Sequence, residues 1–299
     1  IYPPNAATSL IRHTTFQTPP ASANPRLRFW HWFENWNDVG YVRVRVNGGA
    51  LDTLAGPFTN TGSSVWTHTS IDLSAYEGMT LELQFYFRSN NDGARSNGWY
   101  IDDVAILTGP LTFNSPEGWE SGLGDWYVEN GTWQAGNPTS GPDSAFAGQN
   151  CAATVLDGIY HPNLNTRLVS PPFQVPADNP RLRFWQWYSN WNDAGLVQVR
   201  IAGGNWQTIS QAYNNTGGGV WTYTSFDLSA FSGSEIQIAF LFTANSDGAR
   251  SSGWYIDEVA IITGAIVFNN PENWDADIGD WSVSAGSWEV GTPTAGPDS

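Results

Sequence analysis

PRLRFWHWFENWNDVGYVRVRVNGG, residues 25–49, returns as PRLRFWQWYSNWNDAGLVQVRIAGG at residues 180–204. Within GYVRVRVN, residues 40–47, Val42, Val44 and Val46 fall on one face and Tyr41, Arg43 and Arg45 on the other. A period of two marks a strand with one buried face. LELQFYF at 81–87 repeats the pattern and returns at 236–242. Turn signals separate the runs: Asn47-Gly48-Gly49, Asn91-Asp92-Gly93 and Ala202-Gly203-Gly204 all use the backbone freedom of glycine. A helical period lasts no longer than a turn, as in LSAY at 73–76. This patterning predicts an all-β chain of tandem jelly-roll β-sandwich modules, each with two antiparallel sheets.

The repeat keeps an offset of 155 from residue 25 onward, matching Trp66 to Trp221, Trp99 to Trp254, Trp126 to Trp281 and Trp133 to Trp288. Its phase sets the expected domains. Residues 109–264 read as a complete module, from LTFNSPEGWE to GWYIDEVAIITG. Residues 1–108 read as a module lacking its opening strands, and 265–299 as the opening strands of a further one. The modules are thus out of phase with the chain ends, and the two partial pieces are complementary. Residues 265–299 could complete 1–108 of the same chain or of a neighbouring one; alternatively, the chain is a piece of a longer array. Uncovered sandwich strands need a partner, so copies of the chain or adjacent repeats are the expected partners.

Twelve basic residues face 28 acidic ones, for a net charge of -16, and every basic residue is arginine. Such a chain repels phosphate backbones, which argues against nucleic acid. Without lysine there are no Lys–Asn isopeptide cross-links. The single cysteine, Cys151, has no intrachain disulfide partner and reads as a small buried apolar residue. That usage fits a bacterial or archaeal exterior, extracellular or on the cell surface. No apolar run approaches the ~20 residues of a membrane span.

The densest polar constellation is SNNDGARSNGWYIDDVAI, residues 89–106, repeated at 245–261. Strict alternation places Tyr100, Asp102, Val104 and Ile106 on one face, with Asp102 among large apolar neighbours. An unpaired carboxylate there is costly. A hard cation such as Ca²⁺, which takes six to eight oxygen ligands, would resolve the charge. Asp92, Asp102, Asn114 and Glu117 are candidate ligands for one calcium, and Asp247, Asp257, Asn269 and Glu272 for the other. The alternative is that Asp102 accepts hydrogen bonds from loop amides or pairs with Arg95.

Together, NSPEGWE at 114–120, the LRFW strands and GWYIDDVAI at 98–106 resemble bacterial MAM-like jelly-roll modules. These include "choice-of-anchor J" domains and the domains beside immune-inhibitor-A-type metalloproteases. The resemblance covers essentially the whole chain. It implies a jelly roll with a structural calcium between first and last strands, drawing in Asp103 and Glu258 beside Glu117 and Glu272. The repeat's phase groups Glu117 with Asp257 and leaves Glu272 to complete a site with Asp102. The family has no single function, occurring on adhesins, surface proteins and secreted hydrolases.

Trp30, Trp32 and Trp36 recur as Trp185, Trp187 and Trp191. Such rows can stack on sugar rings, or pack on loops and at module interfaces. Catalytic signatures are missing: there is no HExxH, no GxSxG and no phosphate-binding glycine loop. His31 becomes Gln186 and His68 becomes Tyr223 in the second copy, which suits no essential acid–base role. The expectation is a non-catalytic, calcium-stabilised structural or adhesive repeat that polymerises head to tail into a filament. The competing reading is a pair of carbohydrate-binding modules attached to a secreted hydrolase or surface protein, with glycans as ligands.

Overall fold

The structure, a computed structural model, describes residues 1–34, 38–59, 65–93, 96–214, 219–275 and 277–293. The first part contains β1 (Ala7–Ile11), β2 (Phe16–Gln17), β3 (Arg26–Glu34), β4 (Val39–Val46), β5 (Leu51–Phe58), β6 (Thr67–Asp72), β7 (Thr80–Arg88) and β8 (Gly98–Leu107). They form an antiparallel sheet ordered β1-β7-β4-β5, with β2 also on β7, and another ordered β6-β3-β8. The chain continues through β9 (Tyr127–Val128), β10 (Gln134–Gly136), β11 (Cys151–Ala153), β12 (Asn165–Val169), β13 (Phe173–Gln174) and β14 (Arg181–Ser189). Then come β15 (Ala194–Ile201), β16 (Gln207–Thr208), β17 (Thr222–Asp227), β18 (Glu235–Thr243) and β19 (Gly253–Ile262). Their sheets run β16-β15-β18-β12-β9, with β13 on β18, and β10-β11-β19-β14-β17. Strand for strand β1, β4 and β7 match β12, β15 and β18, while β3, β6 and β8 match β14, β17 and β19. Among the described residues the first body has no counterpart of β9, β10 or β11.

The alternation seen in the sequence sets each core. Leu27, Phe29, Val42, Val44, Leu81 and Leu83 fill the first sandwich. Leu182, Phe184, Val197, Val199, Ile236 and Phe240 fill the second, joined there by Trp119, Trp126 and Trp133. Burying side chains of this size supplies about 1.5–3 kcal/mol each against the entropy of folding. The turn at LSAY is a 3₁₀ turn, Ser74–Tyr76, repeated at Ser229–Phe231. Asp72 and Asp227 start these turns by accepting the amides of Ser74 and Ser229 at 2.8 and 2.7 Å.

One expected pattern fails for a local reason. The pairing of β3 with β8 slips between Arg28 and Trp30, and that of β14 with β19 slips between Arg183 and Trp185. Asp103 and Glu258 sit at the slip with φ of 49° and 50°. The preceding aspartates bridge it: Asp102 Oδ1 accepts the Asp103 amide and Asp257 Oδ1 the Glu258 amide, both at 2.8 Å. A β-bulge adds one residue and inverts the alternation beyond it. Trp254, Ile256 and then Val259 face the core, while Tyr255 joins an outer cluster with Cys151, Ala153 and Trp187. Tyr100, Asp102, Val104 and Ile106 therefore do not share a face, contrary to strict alternation.

Candidate functional site

Residues 109–136 serve two neighbours at once. On one side Trp119, Trp126 and Trp133 are wholly buried in the second core. Trp126 stacks on Phe240 with ring centroids 6.0 Å apart, and Trp133 packs on Trp254 at the same separation. Glu117 exchanges main-chain bonds with Val259 of β19 at 2.8 and 3.0 Å, and Val128 of β9 pairs with Leu168 of β12. On the other side the segment lies against the first body, with β9 alongside β6. Arg26 Nη2 reaches Asp125 Oδ1 at 3.2 Å, and Arg26 Nη1 donates to the Gly109 carbonyl at 3.3 Å. Thr67 Oγ1 donates to the Trp133 carbonyl at 2.9 Å, and His68 Nε2 lies 2.7 Å from the Trp126 carbonyl. Burial lowers the His68 pKa to about 4, so at neutral pH the uncharged ring donates its Nε2–H there.

The same joint recurs 155 residues on. Asp280 Oδ1 meets Arg183 Nη2 at 2.7 Å and Arg181 Nη2 at 3.5 Å, and Arg181 Nη1 donates to the Gly264 carbonyl at 3.1 Å. Asp280 Oδ2 accepts the Val267 amide at 2.7 Å, as Asp125 Oδ2 accepts that of Thr112 at 3.0 Å. The Val267 amide first, and then Arg183 and Arg181, hold the Asp280 carboxyl below its ordinary range. Val283 donates its amide to the Tyr223 carbonyl at 2.9 Å and accepts from Thr224 Oγ1 at 3.2 Å. None of these arginines and aspartates stands out in one copy alone. Retention of the Arg26/Asp125 pair as Arg181/Asp280 was the available signal.

The carboxylate candidates separate into groups. Asn114 Nδ2 donates to Glu117 Oε2 at 2.8 Å, and Trp119 donates its amide to Glu117 Oε1 at 3.2 Å. Gly118 lies against the Glu258 carboxylate, whose Oε1 would be 2.8 Å from an added Cβ. Asp257, fully buried, accepts the Ala147 amide at Oδ2 at 3.0 Å and the Glu258 amide at Oδ1. Burial raises its pKa to about 7 against the pull of those amides, and Glu258 adds to the rise. Asp247 instead binds within its own loop, accepting the Ala249 amide at 2.8 Å, while the Asp92 amide donates to Asn90 Oδ1 at 2.8 Å. Asn269 and Glu272 repeat the Asn114–Glu117 contact at 3.1 Å; Asp102 and Asp103 are exposed. Among the described residues no three His, Cys, Asp or Glu side chains converge as a metal site. The structure brings Asn114 to Glu117 and Gly118 to the Glu258 carboxylate, while Asp257 turns both oxygens to the amides of Ala147 and Glu258.

The tryptophans occupy the outer face of β3 and β14. Trp30 meets His68 edge-on at 5.0 Å, and Trp32 meets Tyr100 at 5.4 Å. In the second body residues 142–146 close over this face. Phe146 stacks on Trp185 at 3.7 Å, and Trp221 Nε1 donates to the Ser144 carbonyl at 3.0 Å. Trp187 packs on Tyr255 at 5.4 Å. A cleft of about 290 Å³ lies between Phe146, Trp185, Trp187, Trp221 and Glu289. Trp191 is exposed, and Trp36 lies outside the described residues. Phe146 belongs to AFAGQNCAATVLDG, a stretch that occurs once, so the repeat gave no hint of it.

Sheets and shared segment together define tandem jelly-roll β-sandwiches joined in series. Among curated proteins the chain is similar to Bacillopeptidase F of Bacillus subtilis (strain 168), 32% identical over 167 residues, 54% of this chain and 11% of that protein. It is also similar to pre-pro-metalloprotease PrtV of Vibrio cholerae serotype O1, 32% identical over 133 residues, 40% of this chain and 14% of that protein. The chain therefore spans a small part of each relative. No protein-family description matches it. Among solved structures it is similar to TmCBM61 in complex with beta-1,4-galactotriose (TM-score 0.37, 18% identity, covering 52% of this chain and 99% of that one). The K1 cleaved adhesin domain of Lys-gingipain from Porphyromonas gingivalis W83 gives a TM-score of 0.35 and 19% identity, covering 50% and 97%. At such distance the ligands of those proteins stay their own.

Proposed function

We propose that the chain is a non-catalytic, extracellular structural or adhesive repeat of MAM-like type, with 1–108, 109–264 and 265–299 as its units and head-to-tail assembly as its mode. The observation that carries this reading is the shared segment: residues 109–136 are gripped by Arg26, Thr67 and His68 of one body while their tryptophans form the core of the next. Neighbours built this way transmit load through a buried joint. The protease relatives support an accessory role, since the similarity reaches only 11% and 14% of their lengths. Calcium, in this reading, is held by Asn114, Glu117 and Glu258 beside Asp257 and stabilises the second body.

The joint gives the test. Arg26 and Asp125 are mostly buried, with side chains 12% and 20% exposed, so the pair counts as a charge-assisted bond worth about 1–3 kcal/mol. In a double-mutant cycle Arg26→Ala and Asp125→Ala should couple by that amount, and either change should separate the thermal transitions of the two bodies. Additive effects with unchanged transitions would mean the bodies are merely tethered.

The aromatic cleft at Phe146, Trp185 and Trp187 supports carbohydrate binding as the second reading. Retention on insoluble polysaccharide, lost on Trp187→Ala, would favour it; retention unchanged by Trp187→Ala and Trp185→Ala would remove it.

A further inference from the structure

The sheet β16-β15-β18-β12-β9 carries on its outer face an arrangement that neither reading above uses. Strand alternation sends Val128, Leu168, Val197, Val199, Ile236 and Ile238 into the core. Tyr127, Glu129, Arg167, Gln198, Arg200 and Gln237 therefore face outward. Glu129 takes both arginines, Arg167 Nη1 at Oε2 and Arg200 Nη1 at Oε1, the latter at 3.3 Å. Arg167 Nε donates to Gln198 Oε1 at 3.0 Å. Arg200 Nε donates to Gln237 Oε1 and its Nη2 to the Tyr127 hydroxyl, both at 2.9 Å. Gln198 Nε2 and Gln237 Nε2 are spent in turn on Thr208 Oγ1 and the Ser170 carbonyl, at 3.2 and 2.7 Å. Trp206, half-buried, lies over both guanidiniums, its ring centroid 4.3 Å from Arg200 Cζ and 5.2 Å from Arg167 Cζ. Tyr127, Arg200 and Gln237 also line a cleft of about 410 Å³, together with Asn24 and Ser70 of the first body.

The polar groups of this face are one-sided. A guanidinium has five N–H groups. Among the described residues Arg167 spends two of them and Arg200 three, and the acceptors Glu129, Gln198 and Gln237 are all engaged. What remains is a set of donors, with two arginines against one glutamate. The hydroxyls of a neutral sugar bring donors that such a set cannot meet, whereas a carboxylate accepts the guanidinium fork. The guanidiniums cover one face of the Trp206 indole, and its other face offers a plane for the apolar side of a pyranose ring. We propose that this face binds an acidic polysaccharide, one uronic acid unit stacking on Trp206 with its carboxylate held by Arg167 and Arg200. Neighbouring units run into the cleft beside Tyr127. The net charge of -16 opposes a long polyanion, but charges more than about 8 Å away are screened at physiological salt, so the local excess governs. The repeat contains its own control. The first body has Ser9, Leu51 and Glu82 where the second has Arg167, Trp206 and Gln237, and Arg45 there pairs with Glu82. The site lies on the sheet opposite the Phe146 cleft and stands independently of assembly.

The test is calorimetric titration of the full chain, in chelator, with oligomers of galacturonic acid and of glucuronic acid. At least one should bind, and its methyl ester, the same ring without the charge, should bind at least about tenfold more weakly. Trp206→Ala should raise Kd about tenfold, and Arg167→Gln about tenfold to a hundredfold. Trp206→Phe keeps a smaller plane and should recover part of the loss. Leu51→Ala, at the matching position of the first body, should leave binding unchanged. A wild type that binds neither oligomer overturns the proposal, as does binding that the methyl ester matches or that Trp206→Ala leaves intact. Equal binding of a single-stranded DNA oligomer would overturn it too, making the face a general anion surface. Each of these failures leaves the joined-repeat reading in place, since the Arg26–Asp125 coupling tests that reading separately.

Discussion

Asp257 is the residue whose chemistry is most finely balanced. It sits beneath residues 146–147 with both oxygens accepting amides, yet burial still lifts its pKa to about 7. A carboxyl raised in the fold contributes its full stability below the unfolded value of 3.8, and that contribution is lost as pH rises through about 7. Asp257→Asn keeps the shape but can accept only one amide, a loss of about 1 kcal/mol. The variant should therefore flatten the fall in melting temperature between pH 4 and pH 7, read by thermal melts in chelator. Calcium bound beside it would instead favour the carboxylate, so the wild type should gain melting temperature with calcium at pH 7.5 and the variant should gain less. No gain in the wild type would take calcium out of the proposal.

At the scale of strands, the repeat made the sheets legible and the bulge hid a detail. Alternation in GYVRVRVN and LELQFYF located β4 and β7 because Val42, Val44, Leu81 and Leu83 need a dry face. It misplaced Val104 and Val259, since an inserted αL residue leaves no mark on a hydrophobic pattern. The sequence grouped the carboxylates as ligand candidates; their division between the loops at Asp92 and Asp247 and the strand at Asp257 depends on contacts distant in sequence. Both copies also place a glycine beneath a tryptophan: a Cβ on Gly40 or Gly195 would lie 2.7 Å from Trp99 or Trp254 Cε3. Their surroundings differ, Trp254 being fully buried and Trp99 half-buried. A locked ring cannot yield, so Gly195→Ala should cost about 2–3 kcal/mol in denaturant melts. Gly40→Ala should cost less than half of that, because Trp99 has room to shift. Equal costs would mean that Trp99 is held as tightly as Trp254.

Across the whole molecule the two bodies carry different acid-responsive groups: the second sets Asp257 against His161, which burial holds below the ordinary histidine range. The first buries His31 and His68, whose pKa values fall to about 3 and about 4, chiefly through burial. His31 accepts from Trp99 Nε1 at 3.3 Å and lies near His68; His68 faces the Trp126 carbonyl, Arg28 and Asp125. A histidine lowered in the fold gives stability above the unfolded value of 6.5 that is lost as pH falls toward the folded value. Each could withdraw about 2–3 kcal/mol by pH 4.5, at 1.36 kcal/mol per pH unit. The second body carries Gln186 and Tyr223 at these positions and gains from the protonation of Asp257 over the same range. Differential scanning calorimetry should therefore show the transitions of the two bodies moving apart as pH falls from 7 to 4.5, the first body melting earlier. Putting the second copy's residues into the first, His31→Gln with His68→Tyr, should hold that lower transition nearly constant. The bond from His68 to the Trp126 carbonyl favours the charged ring and offsets part of that loss, so the acid response belongs to the burial of the rings and not to the joint. A separation that ignores both substitutions would place the acid response outside this histidine pair.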